Sequence, residues 1–304
     1  MVNQLYYGDN LEVLRRYIKS ESVDLCYIDP PFNSKRNYNQ IYNNIGGDDK
    51  AQAQAFIDTW EWDDHAIHGI EEITTNYHGL FTQQCIALIV GLRNVLGTGS
   101  LLAYLVSMTL RITEIHRVLK PTGSFYLHCD PNASHYLKLV LDAVFCSHSG
   151  EYRNEIRWKR QPVRGAKATG YQFARNSDSI LFYTKSNTAT WHNPYKQYDE
   201  LFIKTKFRPN ANGRMFRDCD LGTYSEESIR KFEQEGRIYI TKNGKKRLIR
   251  YLDEEKGESI GDLWVDIAEI NSQAKERLGY PKFIISSNKS NNNISINSNY
   301  QEEF

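Results

Sequence analysis

The chain has 304 residues, 40% of them hydrophobic and 25% charged, with a formal net charge of +1. That is the composition of a globular protein with a sizeable core, arranged as one large domain or two modest ones. No apolar run approaches the roughly 18 residues needed to span a bilayer, and the N-terminus MVNQLYYGDN lacks the basic region and apolar core of a secretory leader, so a cytoplasmic protein with no membrane partner is expected.

Five cysteines, Cys26, Cys85, Cys129, Cys146 and Cys219, form no CxxC pair. They signal neither a disulfide framework nor a zinc site, and they read as core thiols with no metal expected. The near-neutral total hides a division. Lys and Arg are outnumbered by Asp and Glu 11 to 16 over residues 1–150, exceed them 22 to 11 over 151–250, and trail 5 to 10 over 251–304. A basic middle between acidic flanks points to a segment that meets a polyanion.

In chain order, Leu5 to Tyr7 is a short strand, and Leu11, Leu14 and Ile18 then recur at helical spacing with Asp9 or Asn10 as the cap. Val23 to Phe32, VDLCYIDPPF, begins as a buried strand, because Val23, Leu25, Tyr27 and Ile28 are β-branched, aromatic or apolar and the prolines forbid a helix. Pro30 and Pro31 fix φ and hold Asp29 and Pro30 extended, so the exit from the strand is stiff. A carboxylate at the carboxyl end of a strand in an α/β sheet stands where such sheets bind ligands. The polar run Asn33 to Asn44 reads as a loop, and Asp48 to Trp62 and Tyr77 to Leu96 read as helices.

Gly97 and Gly99 form a GxG, but they follow a helix and lack a third glycine, so they predict a turn between helices rather than a cofactor loop. A long amphipathic helix, Leu101 to Leu119, ends at a turn over Lys120 to Gly123; a strand, Ser124 to Cys129, then stops at a second acid-proline pair, Asp130 and Pro131. His128 reads as a structural histidine. A further helix carries Leu137, Val140, Leu141, Val144 and Phe145, and the alternation of strand and helix predicts an α/β fold with a mostly parallel sheet.

From Glu151 the texture becomes basic and aromatic. Asn154 to Arg160 and Asp178 to Lys185 are strand-like, and Asn243 and Gly244 mark a hairpin tip. Basic residues neutralise phosphates, so Lys159, Arg160, Arg164, Lys167, Arg175, Lys245, Lys246 and Arg247 are candidate phosphate contacts to a nucleic acid, with interleaved aromatics able to stack on exposed bases. Gly261 to Pro281 reads as part loop, part short helix, and the Asn- and Ser-rich remainder as a disordered low-complexity tail.

The stretches YYGDNLEVL, DLCYIDPPFNSKRNYN, LKPTGSFYLHCDPNASHYLKLVLDAVF, RNEIRWKR and INSQAKERLGYP together resemble the DNA amino-methyltransferases, in the permuted beta group whose catalytic motif precedes the DNA-recognition region. The resemblance implies a Rossmann-like methyltransferase sheet and S-adenosylmethionine as cofactor. It further implies a catalytic core over residues 1–150, an inserted target-recognition region over 151–260, a return to the core over 261–281 and a tail over 282–304.

By the same resemblance Asp29, Pro30, Pro31 and Phe32 are catalytic, with Phe32 stacking on a flipped-out base, and Asp9 and Asp29 lie against the cofactor. Adenine in double-stranded DNA is the expected base, with cytosine as the alternative; a restriction subunit and a homodimer are the expected kinds of protein partner. The family pattern continues past ERLGYP with Thr-Gln-Lys-Pro and an FxGxG cofactor loop, and neither follows Pro281 here. The expectation is therefore an incomplete cofactor site, impaired methylation, an open sheet edge beside the DPPF strand and a use for a complementing C-terminal fragment. A non-catalytic DNA-binding remnant and a fragment without a stable fold are the competing readings.

Overall fold

The computed structural model describes residues 4, 6, 8–30, 36–40, 53–58, 60–160, 171, 173–222, 224–267 and 293–296, with backbone only for 36–40, 53–58 and 293–296. Two compact units emerge, one of residues 1–190 with 262–304 and one of residues 191–261.

In the first unit, helix α1 (Asn10–Tyr17) starts where Asp9 caps the Leu11 and Glu12 amides. Strand β1 (Val23–Ile28) follows with Val23, Cys26 and Ile28 buried. Strands β2 (Arg36–Gln40) and β3 (Ala53–Asp58) pair antiparallel as a separate ribbon. Their strands replace two expectations, a loop over 33–44 and a helix over 48–62. The β-forming Tyr38 and Phe56 face each other in register, a long-range pairing that local periodicity does not reveal.

Helices α2 (Asp64–Thr75), α3 (Gln83–Leu96) and α4 (Ser100–Val118) come next, with Gly97 at φ 67° making the expected turn between the last two. The α4 helix buries residues on nearly every side, among them Leu102, Tyr104, Leu105, Met108, Ile112 and Ile115. A helix apolar all round belongs inside a core, and α4 packs against α1, α2, α3 and α5 (Ser134–Phe145).

Strand β4 (Leu119–Cys129) contains the expected turn at Lys120–Gly123 as an interruption of its ladder: the β1 register passes from Val23↔Leu119 to Leu25↔Ser124. A Cβ at Gly123 would lie 2.9 Å from the Lys120 carbonyl and 3.1 Å from that of Val23, so only glycine fits the bulge. Strands β5 (Glu151–Lys159) and β6 (Ser177–Thr184) complete the middle of the sheet. Gly150 precedes them, and a Cβ there would meet the Phe145 and Thr184 carbonyl oxygens at 2.8 Å each. Gly150→Ala should therefore lower stability by about 1 to 3 kcal/mol, read as a fall in the urea midpoint at unchanged slope.

The second unit holds β7 (Tyr195–Lys196), α6 (Glu200–Lys206), β8 (Arg208–Pro209), β9 (Met215–Asp220), α7 (Glu226–Gln234), β10 (Ile238–Ile240), β11 (Lys246–Tyr251) and β12 (Glu258–Ser259). An antiparallel sheet runs in the order β10-β11-β9-β8, and β7 pairs with β12. The hairpin expected at Asn243 and Gly244 joins β10 to β11, with Gly244 at φ 76°. Its small core is Phe207, Phe216 and Leu248.

The chain returns to the first unit through β13 (Leu263–Trp264) and β14 (Asn293–Ile296), giving a six-stranded sheet of order β13-β5-β6-β4-β1-β14. All neighbouring pairs are parallel except those made by β6, so the α/β expectation is met with a mixed sheet. The units divide the chain differently from the sequence boundaries. Residues 151–190, read as the start of the recognition region, supply β5 and β6 to the main sheet, because Ile180 to Thr184 form a buried apolar run under the basic texture. The tail also departs from expectation: Asn293–Ile296, with isoleucines at alternate positions, pairs with Leu25–Ile28 along the edge of β1 that was expected to stand open. The rest of the tail, and most of Gly261 to Pro281, lie outside the described residues, as do Leu5 and Tyr7 of the first expected strand.

Candidate active site

Because β1, β4 and β5 run parallel and β6 runs against them, the ends of the first three and the start of the fourth share one edge of the sheet. Asp29 and Pro30 lie there just beyond Ile28; Pro30 is buried and the Asp29 side chain is 14% exposed. Pro31 and Phe32 fall outside the described residues, as do Arg164 and Lys167. The register pairs Ile28 with Leu127, Cys129 with Ser179 and Trp158 with Asp178. Asp29, His128 and Asp178 thereby project from one face.

His128 is the centre of this row. Its Nδ1 lies 3.0 Å from Asp29 Oδ1 and its Nε2 lies 3.2 Å from Asp178 Oδ2. The ring of Trp158 meets it edge-on at 5.7 Å, and Arg160 Nη1 approaches Asp178 Oδ2 at 3.3 Å. Burial works against a charge on His128, but the contacts to Asp178 and Asp29 outweigh it and raise the imidazole from its ordinary value to about 9. The sequence marked His128 only as a strand-end residue before an acid-proline pair. Its second carboxylate, Asp178, lies far along the chain and no local pattern could supply it.

Asp29 Oδ1 is buried, and although it is within ion-pair distance of His128 it has no hydrogen bond of good angle. A buried carboxylate oxygen in that state is a costly group in a finished core and a ready acceptor for an incoming N–H. The second acid-proline pair differs. Asp130 Oδ1 accepts from the Asn132 and Ala133 amides at 3.1 and 3.2 Å, and so serves the turn into α5.

Asp9, the other acid expected at the cofactor, is occupied. Oδ1 caps Leu11 at 2.7 Å, and Oδ2 accepts from Arg111 Nη2 at 2.7 Å. Arg111 also donates to Asn10 Oδ1 at 2.7 Å and Ser107 Oγ at 2.6 Å, tying the start of α1 to α4. Burial pushes this guanidinium below its usual value while Asp9 resists the change. The structure gives Asp9 a capping and pairing role, and no described contact brings it to Asp29.

The basic candidates separate into two groups. Lys159, Arg160 and Arg175 are exposed near the sheet edge that carries Asp29, with Arg175 Nη1 donating to Asn132 Oδ1 at 2.9 Å. Lys245, Lys246 and Arg247 belong to the second unit and are all ion-paired: Lys245 with Asp220 at 2.7 Å, Lys246 with Glu233, and Arg247 with Asp218 and Asp220. That unit carries 15 Lys and Arg against 12 Asp and Glu, since the acids after Tyr251 fold back on its arginines. Exposed pairs of this kind are worth at most about 1 kcal/mol, so a phosphate could displace them, but they are not a bare cationic patch. Among the described residues no group of three His, Cys, Asp or Glu could hold a metal ion, and no helix is long and apolar enough to cross a membrane.

A family model described as DNA methylase matches residues 23–294. The Mod subunit of the type III restriction-modification enzyme StyLTI of Salmonella typhimurium is 24% identical across 91% of this chain and 42% of its own length. The type II methyltransferase M.EcaI of Enterobacter cloacae is 23% identical across 59% of this chain and 44% of its own length. The chain thus spans less than half of either relative. A solved structure of an M1.HpyAVI–SAM complex matches 65% of this chain and 62% of its own at a TM-score of 0.34 and 11% identity.

Proposed function

Because the chain belongs to the DNA methylase family, we propose that it acts in transferring a methyl group from S-adenosylmethionine to the exocyclic amino group of adenine in DNA, with Asp29 and Pro30 receiving the amine. The observation that carries this reading is the buried Asp29 Oδ1 without a well-angled donor, at the strand end where the family motif DPPF begins. Asp29 fits a group that brings an N–H; Asp9, whose oxygens already accept from the Leu11 amide and Arg111, could meet the cofactor only through the acceptor sites those bonds leave open.

An aromatic amine is a poor nucleophile because its lone pair is spread into the ring. If the Asp29 carboxylate and the Pro30 carbonyl each accept one of its hydrogens, the nitrogen is drawn toward tetrahedral geometry and its lone pair becomes directional. The cofactor, when bound, would supply an electrophilic methyl on sulfur for that lone pair to attack. The base must leave the duplex to reach a strand end of this kind, and stacking by Phe32 would repay part of the cost. Pro30, held in φ by its ring, keeps the acceptor pair stiff.

Adenine is preferred to cytosine because the overall sequence pattern resembles adenine-modifying members of the family. A DNA substrate supports the expected cytoplasmic location. The names of the relatives, Mod subunits of restriction-modification enzymes, support a restriction subunit as partner, and the region 191–261 is our choice for target recognition. A C-terminal family fragment bearing FxGxG is the partner of choice for completing the cofactor side, and a homodimer is the alternative assembly.

Transfer of labelled methyl to unmodified duplex DNA, followed by nucleoside analysis, tests the reading. N6-methyladenine from the chain, alone or with that fragment, supports it; N4-methylcytosine would change the base; salt-sensitive binding without transfer in either mixture would favour a DNA-binding remnant. Salt supplies a separate prediction. Replacing Lys159, Arg160 and Arg175 together by Gln should flatten the plot of log affinity against log salt by roughly 2 to 3 in slope. An unchanged slope would remove these three from the interface.

A further inference from the structure

His128 has no role in the mechanism above, yet it touches the residue on which that mechanism turns. It is 6% exposed, and each of its ring nitrogens faces a carboxylate oxygen, Asp29 at 3.0 Å and Asp178 at 3.2 Å. A neutral imidazole has one N–H and one lone pair, so either tautomer would set a lone pair against an oxygen anion. Two carboxylate neighbours call for two donors, hence the imidazolium. Among the described residues, the groups seen to face the ring are Asp29 after β1, Asp178 on β6, Trp158 on β5 and, through Asp178, Arg160. Tyr27 on β1 is pushed up by burial and by Asp29 and Asp178, and stays a neutral phenol. With one imidazolium and one guanidinium against two carboxylates, the row is electrically balanced.

We propose that His128 is a positioning residue for the reaction: fixed by Asp178, whose Oδ2 it shares with Arg160, it holds the Asp29 carboxylate in place while leaving acceptor capacity for the target amine. This rests on the reading of Asp29 as the amine acceptor. The contact is within ion-pair range but poorly angled for a hydrogen bond, so a small rotation of Asp29 as the amine arrives costs little. Arg160 is half-exposed and is also a candidate phosphate contact, which places the far end of the row where DNA would meet it.

The experiment uses the full chain with 15N-labelled histidine. Long-range 1H–15N spectra should show His128 protonated at both nitrogens at pH 7.5 and titrating near 9, and Asp29→Asn and Asp178→Asn should each lower that midpoint. In the methyl-transfer assay, with the C-terminal fragment where it is needed, His128→Gln should lower kcat by roughly tenfold to a hundredfold with the DNA KM within about twofold. Wild-type turnover should fall as pH rises through about 9, and His128→Gln should lose that alkaline limb.

A His128 that titrates at an ordinary value, with a midpoint indifferent to Asp29→Asn, overturns the proposal whatever the activity. So does a His128→Gln enzyme with unchanged kcat. If the spectra behave as expected while no DNA is methylated by any mixture, the functional reading of Asp29 fails and the clamp itself stands.

Discussion

Asp29→Asn should reduce methyl transfer by roughly 10²- to 10³-fold while leaving duplex affinity within about twofold. The substitution keeps the size of the side chain and removes its charge and one acceptor. The new amide has one oxygen and one NH2 to offer, and His128 Nδ1, 3.0 Å away, competes for the oxygen. The NH2 is then turned toward the amine, donor against donor, and the nucleophile loses the contact that makes its lone pair directional. Because Asp29 lies at the end of β1 and not within the ladder, the melting transition should persist. The measurement pairs a methyl-transfer assay with fluorescence anisotropy on the same DNA. A variant that methylates at the wild-type rate would remove Asp29 from the chemistry; one that loses affinity in proportion to rate would make it a binding residue instead.

Phe125→Ala should cost about 3 to 5 kcal/mol of stability, the largest loss expected from a single truncation outside the site. Phe125 is fully buried in β4, stacks on Phe145 of α5 at 5.6 Å, and stands opposite Cys26 of β1 and Tyr183 of β6. It therefore joins the two strands that flank β4 to the helix that follows it. Domains of this size are held by about 5 to 15 kcal/mol, so roughly a fifth of the total or more would go. Chemical denaturation followed by near-ultraviolet circular dichroism reads the change. A loss under about 1 kcal/mol would mean that the neighbouring rings close the cavity, since cost follows the volume left empty.

The parts of this molecule that a sequence reveals are those written in local spacing. α4 and α5 announce themselves by apolar residues every three or four positions, and β1 by a β-branched and aromatic run that stops at proline. The DPPF motif and the collinear family stretches gave the α/β fold and the place of Asp29 within it. What local spacing cannot carry is pairing at a distance. β2 and β3 look polar or helical by periodicity and become strands only because each meets the other. β5 and β6 lie inside a basic, aromatic stretch that read as a recognition region, although Ile180 to Tyr183 are as deeply buried as any strand of the sheet.

The same limit applies to charge. Counting signs along the chain predicts a cationic middle, whereas Arg214, Arg217 and Arg237 are met by Asp253, Glu254 and Glu255 from the acidic flank that follows it. His128 was read as structural because half of what makes it interesting, Asp178, is brought in by the antiparallel return of β6.

The pairing of β14 with β1 also has a meaning in time. Leu25 and Asn293 are partners, so everything between them must leave the ribosome before that side of β1 finds its neighbour. At about 5 to 20 residues per second, β1 waits on the order of ten to fifty seconds, its hydrogen-bonding groups facing whatever is nearby. During that interval a nascent chain of this protein is open to chaperones and to other nascent copies, and slowing synthesis between the two strands would lengthen the exposure. The finished edge is sealed by a segment made long after it.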